Sequence, residues 1–204
     1  MAKKTIVVLA NSIKHSQHCV AGKCINTKEW IRLVSDKFGA ELTHQQARYQ
    51  NPYGTYLVKP MQKTVVGLDQ HVPLIHQPEN HIIDGSIWQQ QYNIDDTGLH
   101  NYLETPNDLW GSGDHILYSD ITNGYITIVQ SLYLVKVNNL NIYKNQYDKR
   151  RASFNYNNQN YDFAVTDPNF DSIVNNGVAL KNILCLSLGE EYKGNCYKLV
   201  ATIF

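Results

Sequence analysis

The chain has 204 residues, enough for one large domain or two small ones that each bury a core. Apolar residues make up 43% and charged residues only 18%; Asn, Gln and 14 tyrosines fill the difference, a globular composition that leans towards strand. The formal net charge is zero, which excludes a strongly basic nucleic-acid protein but leaves room for a local basic face.

The opening MAKKTIVVLANS has a basic lead, but its apolar run TIVVLA is shorter than the roughly 7–15 residues of an export segment. Residues 4–10 therefore read as a buried first strand. No run of about 18 apolar residues follows anywhere, so no membrane span is expected. Without an export signal, Cys19, Cys24, Cys185 and Cys196 read as reduced thiols of a cytoplasmic protein. HCVAGKCI (18–25) and WIRLVS (30–35) read as strands joined by the polar NTKE. TYLVKPMQKTVVGL (55–68) is a further strand that Pro60 bends or confines to an edge. Residues 71–124 have a different texture, rich in loops. They carry one or two short helices, among them TGLHNYLE (97–104), capped by Thr97 and followed by Pro106.

From 125 the strand pattern returns with YITIVQSLYLVKV (125–137). RASFNYNNQNYDFAVTD (151–167) reads as a hairpin around NNQN, because Asn tolerates the positive φ that tight turns require. Alternation puts Ala152, Phe154 and Tyr156 on one face of the first arm, and Tyr161, Phe163 and Val165 on one face of the second. NILCLSLG (182–189) and CYKLVATIF (196–204) close the chain around EEYKGN. WIRLVSD (30–36) and YDFAVTD (161–167) share an aromatic, a valine, a hydroxyl and an aspartate at the same spacing. Each ends a hairpin that follows an apolar strand and a basic connection. The match favours two copies of one β unit, and a Greek-key barrel of about five strands, the OB architecture, suits both.

LANSIKHSQHCVAGK, WIRLVS, GAEL, QPEN, YDFAVTDP and the closing SLGEEYKGNCYKLVATIF together resemble the dual OB-containing domain family, over about residues 5–204. The resemblance implies two OB folds. It also implies a prokaryotic setting, in which the family is associated by inference with nucleic-acid binding in bacterial conflict systems. It supplies no catalytic residues. The expected fold is mainly β: two OB-like barrels in tandem, residues 1–124 with a mixed loop and helix insert at 71–124, then 125–204.

The cysteine- and histidine-rich stretch 9–36 invites a metal reading. His15, His18, Cys19 and Cys24 are zinc-type donors, but His18 and Cys19 are adjacent and project to opposite faces of a strand. No metal is expected. No flanking pattern marks a Cys–His nucleophile, and Glu79, Asp84, Asp162 and Asp167 lie in separate segments, so catalysis is not favoured and no cofactor is implied. Binding suits the pattern better. Lys14, His15, Lys23 and Arg32 lie on or beside the first hairpin, and Lys149, Arg150 and Arg151 lead into the second. Trp30, Phe154, Tyr156 and Tyr161 supply rings on which bases can stack. Gln77 and Asn80 of HQPENH (76–81) offer amides that both donate and accept.

Each residue also has a structural reading. KRR is a solvated strand edge, Trp30 is core with Arg32 paired to Asp36 or Glu41, and Tyr161 and Phe163 are core. The expected function is a soluble module for single-stranded or structured nucleic acid, or for a nucleotide, in bacterial defence beside an effector protein. The rivals are an enzyme using His76, Glu79 or Asp84 in 71–124, and a protein–protein adaptor with an exposed apolar patch.

Overall fold

The computed structural model describes residues 2–14 and 16–204, the side chain of Lys14 excepted. The chain divides into two compact units, residues 1–74 with 78–102, and residues 75–77 with 103–204. No helix among the described residues is long and apolar enough to cross a membrane.

The first unit contains β1 (Ala2–Lys14), β2 (Gln17–Cys24), β3 (Trp30–Val34), β4 (Arg48–Asn51), β5 (Gly54–Leu57), β6 (Gln62–His71), β7 (Asn80–Ile83), β8 (Trp88–Asn93) and the helix α1 (Asp96–His100). Five strands close a barrel in the order β1-β2-β3-β7-β6 and back to β1. Neighbours are antiparallel except β3 and β7, which run parallel. The apolar run of β1 follows from its place in the ring. Ile6 pairs with Cys24 on one edge and with Thr64 on the other, so Ile6, Val7, Val8 and Leu9 are fully buried. A register shift between Val8 and Ala10 coils the strand so that it serves both neighbours. The β4–β5 hairpin and β8 extend the sheet beyond β6. Pro60 sits in the turn before β6 rather than in a strand, and Met61 beside it takes a left-handed φ of 69°.

The second unit contains β9 (His115–Leu117), α2 (Tyr118–Thr122), β10 (Leu132–Lys136), β11 (Asn138–Lys144), β12 (Arg150–Tyr156), β13 (Gln159–Val165), α3 (Phe170–Asn176), β14 (Ile183–Tyr192) and β15 (Asn195–Ile203). The hydrogen-bonded order is β10-β14-β15-β13-β12-β11. Only Val137 separates β10 from β11, so the two ends of that path are joined through the chain. Here too one pair, β13 and β15, runs parallel. The bent β10–β11 thus corresponds to β1, β12 to β2, β13 to β3, β14 to β6 and β15 to β7. The tandem β-barrel expectation holds.

The hairpin of β12 and β13 forms as alternation predicts. Asn157 and Asn158 take φ of 47° and 63°, a two-residue turn whose twist suits the strands. Ala152, Phe154, Tyr156, Tyr161, Phe163 and Val165 all enter one apolar core.

Three expectations need correction. The division falls after residue 102, not 124: β9 pairs with β15, and Leu109, Ile116 and Ile121 are buried in the apolar clusters of the second unit. The stretch 71–124 is not all insert, because β7 inside it is the fifth strand of the first barrel. The helix at TGLHNYLE is shorter than its pattern, and its cap is Asp95, whose carboxylate accepts from Gly98 N at 2.7 Å; Thr97 lies inside it.

Candidate ligand interface

OB barrels take ligands on the outward face of their second and third strands and on the loops beside it. In the first barrel, register sets Ala21 opposite Arg32 and Lys23 opposite Trp30, away from the core-facing Val20, Ile31 and Leu33. This outward face is not open. Ala21, Lys23, Trp30, Arg32 and Val34 are all buried. Lys23 Nζ donates to the carbonyl of Tyr102, just past α1, at 3.1 Å and lies 5.2 Å from the Trp30 ring centroid. Asn80, in parallel register with Arg32, is fully buried as well. Lys23, Trp30, Arg32 and Asn80, expected to grip a ligand, are therefore enclosed rather than open to solvent. Lys14 ends β1, paired with Gln17 at the β1–β2 turn, and His15 lies outside the described residues.

The second barrel differs. The outward positions of β12 and β13 are Arg151, Ser153, Asn155, Asn160, Asp162 and Ala164, joined in register by Asn141 and Tyr143 of β11, and none is buried. Arg151 Nε donates to Asp162 Oδ1 at 2.8 Å and its Nη2 to the Asp162 carbonyl at 2.7 Å. The Tyr143 hydroxyl donates to the other carboxylate oxygen, and that bond holds its pKa above the usual phenol value. Asn155 donates to Asn160 at 3.1 Å. The face is rich in amides and hydroxyls, with its one arginine already neutralised.

The β11–β12 loop, residues 145–149, borders this face. Asn145 Oδ1 accepts from the backbone N–H of Tyr147 and of Lys149, each at 3.0 Å, which fixes the turn. Tyr147 is 71% exposed. Lys144 pairs with Asp148 at 3.3 Å and with Asp171 at 3.2 Å, and Arg150 pairs with Asp171 too. The two cations keep the Asp171 carboxyl below its ordinary pKa, Lys144 by hydrogen bonding first. Of the run Lys149, Arg150 and Arg151, only Lys149 lacks a carboxylate within reach among the described residues. Tyr156 is buried, its hydroxyl donating to the Pro106 carbonyl at 2.7 Å, so it anchors a loop and offers no stacking surface.

The HQPENH segment is also used internally. Gln77 is buried and its Nε2 reaches the Leu188 carbonyl at 3.4 Å, while the His76 ring meets Tyr118 edge-on at 5.7 Å. The Glu79 carbonyl accepts from Arg32 N and from His81 Nδ1, and the Asp84 carboxylate organises the turn at Ser86. Burial, then the charges of His71 and Lys4, hold the His81 pKa below 6.5 against the bond to Glu79. Burial and then His44 do the same to His18. The unfolded chain therefore binds more protons than the folded one as pH falls below about 6.5, and stability present above that value is lost on acidification. Urea unfolding at pH 7.5 and 5.5 should show lower stability at 5.5, with a smaller drop in His81→Gln. A variant as acid-sensitive as the wild type would acquit His81.

Sequence reasoning missed a second meeting of cations with rings, Lys63 against Tyr92 and Lys28 against Tyr102 in the first unit. Lys63 and Tyr92 are 29 residues apart and meet only through the β6–β8 register, which no local pattern announces.

The family model for the dual OB-containing domain matches residues 4–203. The chain belongs to the dual OB-containing domain family. No curated protein and no solved structure shows significant similarity to it. The match spans both barrels of this dual OB chain, so the pair of folds, rather than one of them, is the family's unit.

Proposed function

We propose that this dual OB chain is a binding module for single-stranded nucleic acid that engages it on the outward face of β12–β13 and the β11–β12 loop. The observation that carries the reading is the contrast between the barrels. The corresponding face of the first is buried, whereas that of the second is open, lined by Ser153, Asn155, Asn160 and Tyr143, and bordered by exposed Tyr147 and Lys149. The amides suit base edges, Tyr147 offers a ring worth roughly 1–3 kcal/mol for one stacked base, and Lys149 is an uncompensated cation for phosphate. Because Arg150 and Arg151 are already paired to carboxylates, few phosphates are neutralised. A salt slope near −1 is the expectation, about one to two phosphates at −0.7 each. In this reading the chain works in the bacterial cytoplasm, in a defence system beside an effector protein, and binds without catalysis.

The test is fluorescence anisotropy of labelled single-stranded DNA and RNA at two salt concentrations. Tyr147→Ala should weaken binding about tenfold, equivalent to 1.4 kcal/mol, and Lys149→Ala should flatten the salt slope. Both residues are exposed, so folding is spared. Wild-type affinity in the Tyr147→Ala, Lys149→Ala double variant would refute the interface.

A further inference from the structure

We infer that the first unit carries a separate site for a nucleoside phosphate, in the groove between the end of β8, α1 and the turn that follows β2. The groove is open to solvent, offers about 400 Å³ and is lined by Lys28, Tyr92, Asn93, Asp95, Asn101 and Tyr102. That volume lies within the ~300–1,000 Å³ of small-ligand clefts. Lys63 stands at its margin, directly across the β6–β8 register from Tyr92.

Two ammonium groups and two aromatic rings meet here. Lys63 Nζ lies 4.6 Å from the Tyr92 ring centroid and donates to its hydroxyl at 3.0 Å. Lys28 Nζ lies 4.0 Å over the Tyr102 ring. Neither lysine has a carboxylate within ion-pair distance among the described residues. The paired cations of the β11–β12 region are the contrast. A lysine resting on a ring keeps most of its hydration and gives up little when it turns to a phosphate.

The remaining groups narrow the ligand class. Tyr92 is 55% exposed and presents a face on which a base can stack. Asn93 and Asn101 supply amides that donate and accept. Asp95 spends Oδ1 on the backbone N–H of Gly98, which leaves Oδ2 to accept a sugar hydroxyl. A carboxylate in the same groove suits one nucleotide, whose sugar it can hold, and opposes a train of phosphates. The site stands independently of the strand interface on β12–β13.

Isothermal titration of the full chain with adenosine monophosphate, adenosine and inorganic phosphate tests it. The monophosphate should bind at least tenfold more tightly than either fragment. Lys63→Gln and Tyr92→Ala should each weaken it about tenfold, while Tyr92→Phe, which keeps the ring, should stay within about threefold. Tyr92→Phe also covers the case in which Tyr92→Ala fails to fold. Tyr147→Ala should leave this binding unchanged, so the two sites fail separately. A 5′-phosphorylated ten-nucleotide strand that displaces the monophosphate marks a strand end as the natural source, and a strand that does not compete marks a free nucleotide. No heat from the monophosphate, or wild-type affinity in both Lys63→Gln and Tyr92→Ala, would overturn the site.

Discussion

Phe163→Ala will destabilise the second barrel by about 4 kcal/mol, near the middle of the ~3–5 kcal/mol range for emptying a buried phenylalanine site. Phe163 has no exposed surface. Its ring meets Phe154 edge-on at 5.4 Å and Tyr161 at 5.3 Å, and those two rings stack on one another at 5.7 Å. Three aromatics from two adjacent strands thus fill the centre of one core. The space left by alanine does not collapse easily. Tyr161 is tethered by hydrogen bonds to Gln159 at 2.9 Å and from Leu109 N at 3.5 Å, and Ala152, across the strand pair from Phe163, has only a methyl group, which cannot swing inward to fill the space. Lys198 Nζ lies on the far side, 6.0 Å from the Phe163 ring centroid, held by the carbonyls of Gly111, Ser112 and Gly113 at 2.7, 2.9 and 3.1 Å. Burial lowers its pKa to about 8, against the pull of Asp108 and Asp114, so it stays protonated at neutral pH and keeps those three bonds. Enlarging the space beside a buried ammonium brings no compensating contact. Urea unfolding of the wild type and the variant measures the difference, and a loss under about 1 kcal/mol would mean that the three rings are not one packed unit.

The repeated WIRLVSD and YDFAVTD show where sequence carried the fold and where it did not. The two segments do occupy the same place, β3 and β13, the third strand of each barrel. Both end in an aspartate that accepts, at 2.8 Å, from the backbone N–H two residues on, Asp36 from Phe38 and Asp167 from Asn169. Yet the aligned residues point to opposite faces. Tyr161 and Phe163 enter the core, whereas Trp30 and Arg32 lie on the face away from Ile31 and Leu33. A slip of one residue inverts every side chain of a strand. Alternation exposed the arrangement in β12 and β13, where one face is buried and the other is not. In β3 all five residues are buried, so the pattern is continuous and carries no information about which side is inward. The burial of Lys23 and Arg32 was hidden for the same reason: they look like surface cations in the sequence because their cover, such as the Tyr102 carbonyl 79 residues from Lys23, is remote along the chain. Lys149 was legible because a loop after a strand is solvated whatever the strand packs against. Lys198 was not, because a lysine in a strand pattern is ordinarily placed outward.

Gly22→Ala will disrupt the first barrel more than any surface change, by at least about 3 kcal/mol, the upper end of the usual overpacking cost. Gly22 lies in the middle of β2, paired with Val8 of β1 and with Ile31 of β3. A Cβ built on it meets the Val7 carbonyl oxygen at 2.3 Å and the Val7 carbonyl carbon at 2.9 Å. Both are backbone atoms, so no rotamer change relieves the clash. Val7 cannot withdraw either, because its other edge is paired with Lys63 of β6 and moving it opens the barrel seam. The close approach belongs to the coil of β1, whose register with β2 shifts directly after Val8. The second barrel turns the corresponding corner differently. There the first strand breaks at Val137 between β10 and β11, and Asn139 takes a left-handed φ of 53°. The clash at Gly22 is not shared by the turn glycine of the second unit: Gly194→Ala, at an open positive-φ turn between β14 and β15, is strained but meets no atom within 4 Å and should cost only about 1 kcal/mol. Chemical unfolding of both variants beside the wild type reads the contrast. If Gly22→Ala proves no worse than Gly194→Ala, the coil of β1 has slack, and tight seating of β1 between β2 and β6 is not what closes the first barrel.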